Sequence, residues 1–291
     1  MDERTAGLEH PPDRSEQEMA DLAPYLSRDD VNDFISKANE KYLHWNDLRY
    51  RDIPDDTEHE ELWYLIKYVR NTNMKNVGIN SIGLEYYLTD SILEKLNKFD
   101  MALGGQIEAS SIIPDEDRDS YLISSLMEEA IASSQLEGAA TTREEAKKML
   151  RRNEDPEDKS EQMIVNNYRT IRQIREWKDR ELTPALIKEL HESMTAKTLE
   201  EESEAGEYRK SNEVKVIDND KGEVLHTPPD YEKVSKLMED LCEFANKEQE
   251  FIHPIIKATI LHFSIGYIHP FVDGNGRTAR AVFYWYLISE G

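Results

Sequence analysis

Most of the chain reads as helices separated by short polar breaks. Residues 1 to about 26 are mostly polar, with Pro11 and Pro12, and read as a tail or a docked arm. Val31, Phe34 and Ile35 then fall at i, i+3 and i+4, the spacing of an amphipathic helix, with Ser27 as its expected N-cap. Leu62, Trp63, Leu65, Ile66 and Val69 predict another helix, and the Asn-rich stretch 71–80 reads as a connection. Leu93, Leu96 and Phe99 predict a helix stopped at Gly104-Gly105, and Ser120 to Gln135 predicts a long one ended by Gly138.

Thr142 with Glu145 three residues on matches a capping box, so a helix is expected to start there. The charged stretch 153–160 reads as a loop. Met163–Trp177 and Thr183–Ala196 read as helices, the second with Thr183 as N-cap and Pro184 in its first turn. Only Val214 to Leu225 departs from the helical period. There VKVI, a polar turn and EVLH predict a small β-hairpin. Tyr231–Asn246 and Ile252–Ile268 return to helix. The expected fold class is mainly α.

Composition narrows the partners. Acidic residues outnumber basic ones 60 to 36, for a net charge of -24. Such a surface repels nucleic acid and anionic membrane, although a local basic pocket can still hold a phosphate. The single cysteine, Cys242, excludes an internal disulfide; with Leu237, Met238, Leu241 and Phe244 around it, it reads as a core residue. The first residues lack the apolar run of a signal peptide, and no run of about 20 apolar residues exists, so a cytoplasmic location is expected.

The chemistry concentrates in His269-Pro270-Phe271-Val272-Asp273-Gly274-Asn275-Gly276, followed by Arg277, Thr278, Ala279, Arg280 and the apolar run AVFYWYLIS. This pattern predicts helix, tight loop, helix. Successive N–H groups at a helix start form an anion cradle, and glycines let a ligand approach the main chain. Arg277 and Arg280 are neighbours at i and i+3 and can reach back to phosphates. Asp273 offers a hard oxygen for Mg²⁺ shared with phosphates, and His269 can take a proton from a hydroxyl. A GNG turn alone carries no such reading. The combination within twelve residues does.

HPFVDGNGRTAR resembles the Fic signature HPFx[D/E]GNGRxxR at every specified position. The resemblance, over about residues 85 to 291, implies a Fic-type helical bundle with a short β-hairpin flap. It implies a protein adenylyltransferase that moves AMP from ATP to a Ser, Thr or Tyr hydroxyl. His269 is then the general base, Asp273 the Mg²⁺ ligand, and Gly274, Asn275 and Gly276 the anion hole. Arg277 and Arg280 hold the outer phosphates, and Phe271 anchors the loop.

Ser133-Ser134-Gln135-Leu136-Glu137-Gly138 is similar to the inhibitory pattern [S/T]xxxE[G/N] of the subclass with an N-terminal inhibitory helix. Ser133, Glu137 and Gly138 are its specified positions. The resemblance pairs Glu137 with Arg280, and one guanidinium fork cannot serve a carboxylate and a phosphate at once. Gly206-Glu207-Tyr208-Arg209 and the hairpin are similar to the flap, with Val214, Lys215 and Val216 expected to pair with a target segment.

The implied organisation is an N-terminal helical region and tail (1–80), a module with the inhibitory helix (81–160) and a catalytic core (161–291). Family members of this type continue beyond the equivalent of Gly291, so the chain reads as truncated there. The expected partner is a protein with a hydroxyl side chain. Self-modification and oligomers stay open. Phosphoryl transfer, removal of AMP and non-catalytic nucleotide sensing are the alternatives.

Overall fold

A computed structural model describes residues 11–12, 22–79, 81–104, 115–218, 221–247 and 251–290. The chain divides into two compact units, residues 1–110 with 217–225, and residues 111–216 with 226–291. Helices dominate the described residues of both, as expected.

In the first unit, α1 (Asp29–Glu40), α2 (Trp45–Leu48) and α3 (His59–Thr72) enclose Val31, Ile35, Leu48, Leu62, Leu65 and Ile66. Removing these side chains from water drives the assembly, at roughly 1.5–3 kcal/mol per fully buried aliphatic side chain. Arg70 is buried among them. It donates from Nε to Asn39 Oδ1 (3.0 Å) and from Nη2 to Leu43 O (3.1 Å), and stacks on Tyr42. Ser27 is not the cap of α1. It ends a short 3₁₀ turn (Ala23–Ser27), and Arg28 occupies the cap position without a side-chain capping bond, its guanidinium donating to Asp30. The stretch read as a connection contains β1 (Lys75–Asn76), paired antiparallel with β2 (Glu85–Tyr86). Two-residue strands are too short for a period of two to show. Helix α4 (Asp90–Gly104) follows, started by Glu40, whose carboxylate accepts from the N–H groups of Asp90 and Ser91. The expected stop at Gly105 lies outside the described residues.

The second unit contains α5 (Asp115–Leu136), α6 (Arg143–Arg152), α7 (Lys159–Ile174), α8 (Pro184–Thr195), α9 (Val234–Asn246), α10 (Pro254–Ile268) and α11 (Asn275–Glu290). Thr142 and Glu145 form the expected capping box of α6, and Thr183 caps α8 with Pro184 behind it. Helix α7 starts earlier than expected because Asp158 caps it, accepting from Glu161 N–H at 2.8 Å. The long hydrophobic contact between α10 and α11 brackets the loop 269–274, and Ala258, Leu261, Ile265, Ala281 and Val282 on these two helices are fully buried. The hairpin is shorter than expected, with β3 (Val216–Ile217) followed by β4 (Val224–His226). Val214 and Lys215 therefore precede the strand, and only Val216 lies in it.

No helix among the described residues is long and apolar enough to cross a membrane. Cys242 sits buried in α9, and burial pushes its thiol up to about 12. A thiol-specific chromogenic reagent at about pH 8 should therefore react only after denaturant is added. Rapid reaction of the native chain would contradict this packing.

Candidate active site

The loop between α10 and α11 is held by its own side chains. His269 takes a left-handed backbone (φ 50°) that ends α10, and its N–H closes on Ile265 O at 2.8 Å. Gly274 has φ 79°, and a Cβ there would meet Thr195 Cγ2 at 2.6 Å, so both conformation and space require glycine. Asn275 bridges the loop. Its Oδ1 accepts from Phe271 N–H and its Nδ2 donates to Phe271 O, both at 2.9 Å. The Asn275 side chain is thus a buried clamp, and only its main chain at the start of α11 is left for an anion. Thr278 N–H closes on Gly274 O, and the earlier N–H groups of the first turn have no intrahelical acceptor.

Phe271 is fully buried. It stacks on the His191 ring (centroids 3.7 Å apart, 6° between planes) and lies beside Tyr208. The His191 tautomer follows from its partners. Gly206 N–H donates to Nδ1 at 2.9 Å, so Nε2 carries the proton and donates to Asp273 O at 2.8 Å. Burial drives the imidazole down to about 4, which keeps it neutral in this role.

The two arginines differ. Arg277 is 1% exposed, and its Nη1 donates to Met194 O (3.0 Å) and Thr198 Oγ1 (3.4 Å) at the C-terminal end of α8, where a positive charge suits the helix dipole. Its Nη2 lies 3.8 Å from Asp273 Oδ2. Arg280 is only partly buried and reaches α5. Its Nε donates to Ser133 Oγ (2.8 Å), and its Nη2 donates to Ser133 O (3.0 Å) and Glu137 Oε1 (2.7 Å).

Ser133 lies in the last turn of α5 and Glu137 is the first residue beyond it, where its N–H closes a turn on Ser134 O at 3.1 Å, so the end of that helix meets the arginine. The rotation of α5 is set by Asn167 of α7, which donates to Ser134 Oγ at 2.6 Å. Gly138, at φ 91°, then turns the chain so that Ala139 N–H returns to Ser134 O. A Cβ on Gly276 would fall on the Glu137 carboxylate, so the missing side chain there lets Glu137 reach Arg280.

His269 Nδ1 lies 3.2 Å from Gly266 O, which makes it the donor and leaves Nε2 with a lone pair. The imidazole is held below its ordinary range, chiefly by burial, and further by His226 and Arg209. Asp273 presents an exposed carboxylate whose Oδ1 accepts from Gly274 N–H. Among the described residues no cluster of metal-ligating side chains occurs. One exposed carboxylate fits Mg²⁺, which takes one or two protein carboxylates and completes its shell with substrate phosphates and water.

Sequence reasoning misses His191 and Asn167 as parts of this site, and it places Arg209 only in the flap motif, not at the end of α10. His191 lies on the face of α8 that carries Ile187, Leu190 and Met194, and a histidine in such a setting was the available signal. Replacing Asn275 by Ala removes both clamp bonds and leaves a buried N–H and carbonyl unpaired. Thermal and urea unfolding should show a loss of about 2–3 kcal/mol. A loss within about 0.5 kcal/mol would remove the clamp from this account.

The Fic/DOC family profile matches residues 181–287, which contain the loop and the helices around it. The protein adenylyltransferase Fic of Nematostella vectensis is 42% identical over 89 residues, covering 30% of this chain and 19% of that protein. The Drosophila willistoni protein of the same name is 33% identical over 112 residues, covering 38% of this chain and 20% of that protein. The matched region is thus about a fifth of these relatives' length.

Among solved structures, a Fic domain containing signaling protein from Bacteroides thetaiotaomicron aligns with a TM-score of 0.57 and 25% identity over 68% of this chain and 73% of that one. Fic-1 from C. elegans aligns with a TM-score of 0.58 and 16% identity over 95% of this chain and 79% of that one, a likeness of fold. With HPFVDGNGRTAR at the loop between α10 and α11, residues 181–287 of this chain are similar in sequence and in fold to the Fic/DOC family.

Proposed function

We propose that this chain transfers AMP from ATP to a hydroxyl of a protein and that Glu137 holds it in a resting state. The observation that carries the reading is the placement of Glu137 on Arg280, one helical turn beyond a free helix N-terminus and a histidine with an available lone pair. The curated relatives named protein adenylyltransferase Fic support it. In this reading residues 81–160 supply the inhibitory module and 161–291 the catalytic core.

His269 Nε2 takes the proton of a target Ser, Thr or Tyr hydroxyl. The hydroxyl oxygen forms a bond to the α-phosphorus of ATP, the bond to the bridging oxygen of the β-phosphate breaks, and pyrophosphate leaves. Main-chain N–H groups of Asn275, Gly276 and Arg277 receive the phosphate charge. Asp273 would hold Mg²⁺, which would supply charge neutralisation for the phosphates. Arg277 lends a fixed positive charge beneath the loop, and Arg280 takes the outer phosphate once Glu137 releases it. Ser133 shares the resting hold on Arg280, and Gly138 ends the helix that presents it. The stretch Val214, Lys215 and Val216 aligns the target segment by main-chain pairing.

ATP labelled at the α-phosphate tests this reading. Glu137→Gly should label a protein acceptor at least about tenfold faster than the wild type, and His269→Ala in that background should abolish labelling. Absence of α-label in both Glu137→Gly and wild type would refute it, and γ-label alone would favour phosphoryl transfer.

The base must be neutral to act, and its folded state sits below the ordinary imidazole range. The Glu137→Gly rate should therefore stay level as pH falls through about 6.5 and decline only at more acidic pH. An acid limb above that value would contradict the geometry given to His269.

A further inference from the structure

The last four carbonyls of a helix have no partner within it. Helix α10 ends in the interior, where Ile268, Pro270 and Phe271 are buried, so its end needs partners from elsewhere. Ile265 O and Gly266 O are served by His269 itself, through its main-chain N–H and its Nδ1. Tyr267 O accepts from His226 Nε2 at 2.7 Å. Ile268 O and His269 O accept from the guanidinium of Arg209, at 3.5 and 2.9 Å, and Pro270 O accepts from the Arg209 main-chain N–H at 2.9 Å.

Arg209 is 3% exposed. Its remaining bonds go to Ser211 O, Asn212 Oδ1 and Pro229 O, on the arms before and after the hairpin. All the hydrogen-bond acceptors found for this guanidinium are carbonyl or amide oxygens. A buried guanidinium stays charged, and the negative end of a helix dipole is a favourable place for it. The side chain therefore grips the backbone of the base residue on both sides of its strained left-handed turn. The mechanism above gives Arg209 no part.

We propose that Arg209 is the positioning residue of His269, fixing the left-handed turn that ties Nδ1 to Gly266 O and leaves Nε2 available. The inference deepens the AMP-transfer reading and rests on it for its catalytic consequence. The charged or titratable groups acting on the imidazole are His226 from β4, Arg209 from the preceding arm and Glu137 from the turn after α5. Arg209 and His226 oppose protonation and Glu137 favours it, so loss of the Arg209 charge makes the imidazole easier to protonate. No atom of Arg209 need touch the substrate for this to matter, since a small displacement of a base costs large factors in rate.

The test uses the full chain with ¹⁵N-labelled imidazoles, with the His269 signals identified by their loss in His269→Gln. In the parent, His269 should be the Nδ1-protonated tautomer. In Arg209→Gln that preference should fall and the titration midpoint should rise. Arg209→Lys, which keeps the charge and loses the fork, should disturb the tautomer with a smaller change in midpoint. In the Glu137→Gly background, Arg209→Gln should lower kcat about tenfold or more with KM for ATP changed less than about twofold. Its acid limb should move to higher pH. Thermal melting checks the fold, and should Arg209→Gln fail to fold, Arg209→Lys carries the same readouts. Guanidinium ion added to Arg209→Ala should restore part of the rate.

An unchanged tautomer, midpoint and acid limb in a folded Arg209→Gln variant would overturn the proposal. So would an equal fall in rate with no change in the His269 signals. Should Glu137→Gly with Arg209 intact transfer no AMP while the His269 signals still depend on Arg209, the function falls and the positioning stands.

Discussion

The site depends on what the Arg280 guanidinium can hold at one time. In this structure its Nε and Nη2 are engaged by Ser133 of α5 and by Glu137 just beyond that helix, with Glu137 Oε1 at 2.7 Å. A planar fork offers strong, directional bonds to a carboxylate or a phosphate, and the same donors cannot serve both. The pair is partly exposed, so its strength as an isolated ion pair is modest. Its leverage comes from placement at the mouth of a helix N-terminus that is otherwise ready for an anion.

That placement is assembled from distant parts of the chain. Asn167 sets the rotation of α5, and Gly138 ends that helix where Glu137 can turn toward α11. Asn275 closes the loop on Phe271, and the loop rests on the ring of His191. Arg277 joins α11 to the end of α8, and Arg209 joins the end of α10 to the arms of the hairpin. Buried polar side chains that each satisfy several main-chain groups recur here, and leaving any of those groups unpaired costs about 1–3 kcal/mol. A loop with left-handed residues at both His269 and Gly274 stays in one shape only when its surroundings over-determine it.

Local chemistry was readable from the sequence. The capping box at Thr142, the cap at Thr183, the helix stop at Gly138 and the helix–loop–helix around Asp273 all follow from interactions within a few residues. The main elements of the second unit followed from the helical period, and buried Cys242 from its apolar neighbours. What escaped was non-local or too short. His191 meets Asp273 and Gly206 across the fold, and Arg209 meets α10 from sixty residues away in sequence. No periodicity reports such pairs. The strands β1 and β2 are two residues each, and the start of α1 was misread because a serine next to acids looks like a cap wherever it stands. The sequence pattern places Asn275 in the anion hole, yet its side chain holds the loop closed, a use that only the fold reveals.

The central claim is a coupling between Glu137 and Arg280 that gates AMP transfer. A double-mutant cycle on the transfer rate from α-labelled ATP measures it, with wild type, Glu137→Gly, Arg280→Ala and the double variant. The account predicts a large gain on Glu137→Gly that disappears when Arg280 is also removed. A gain of the same size with Arg280 absent would contradict it.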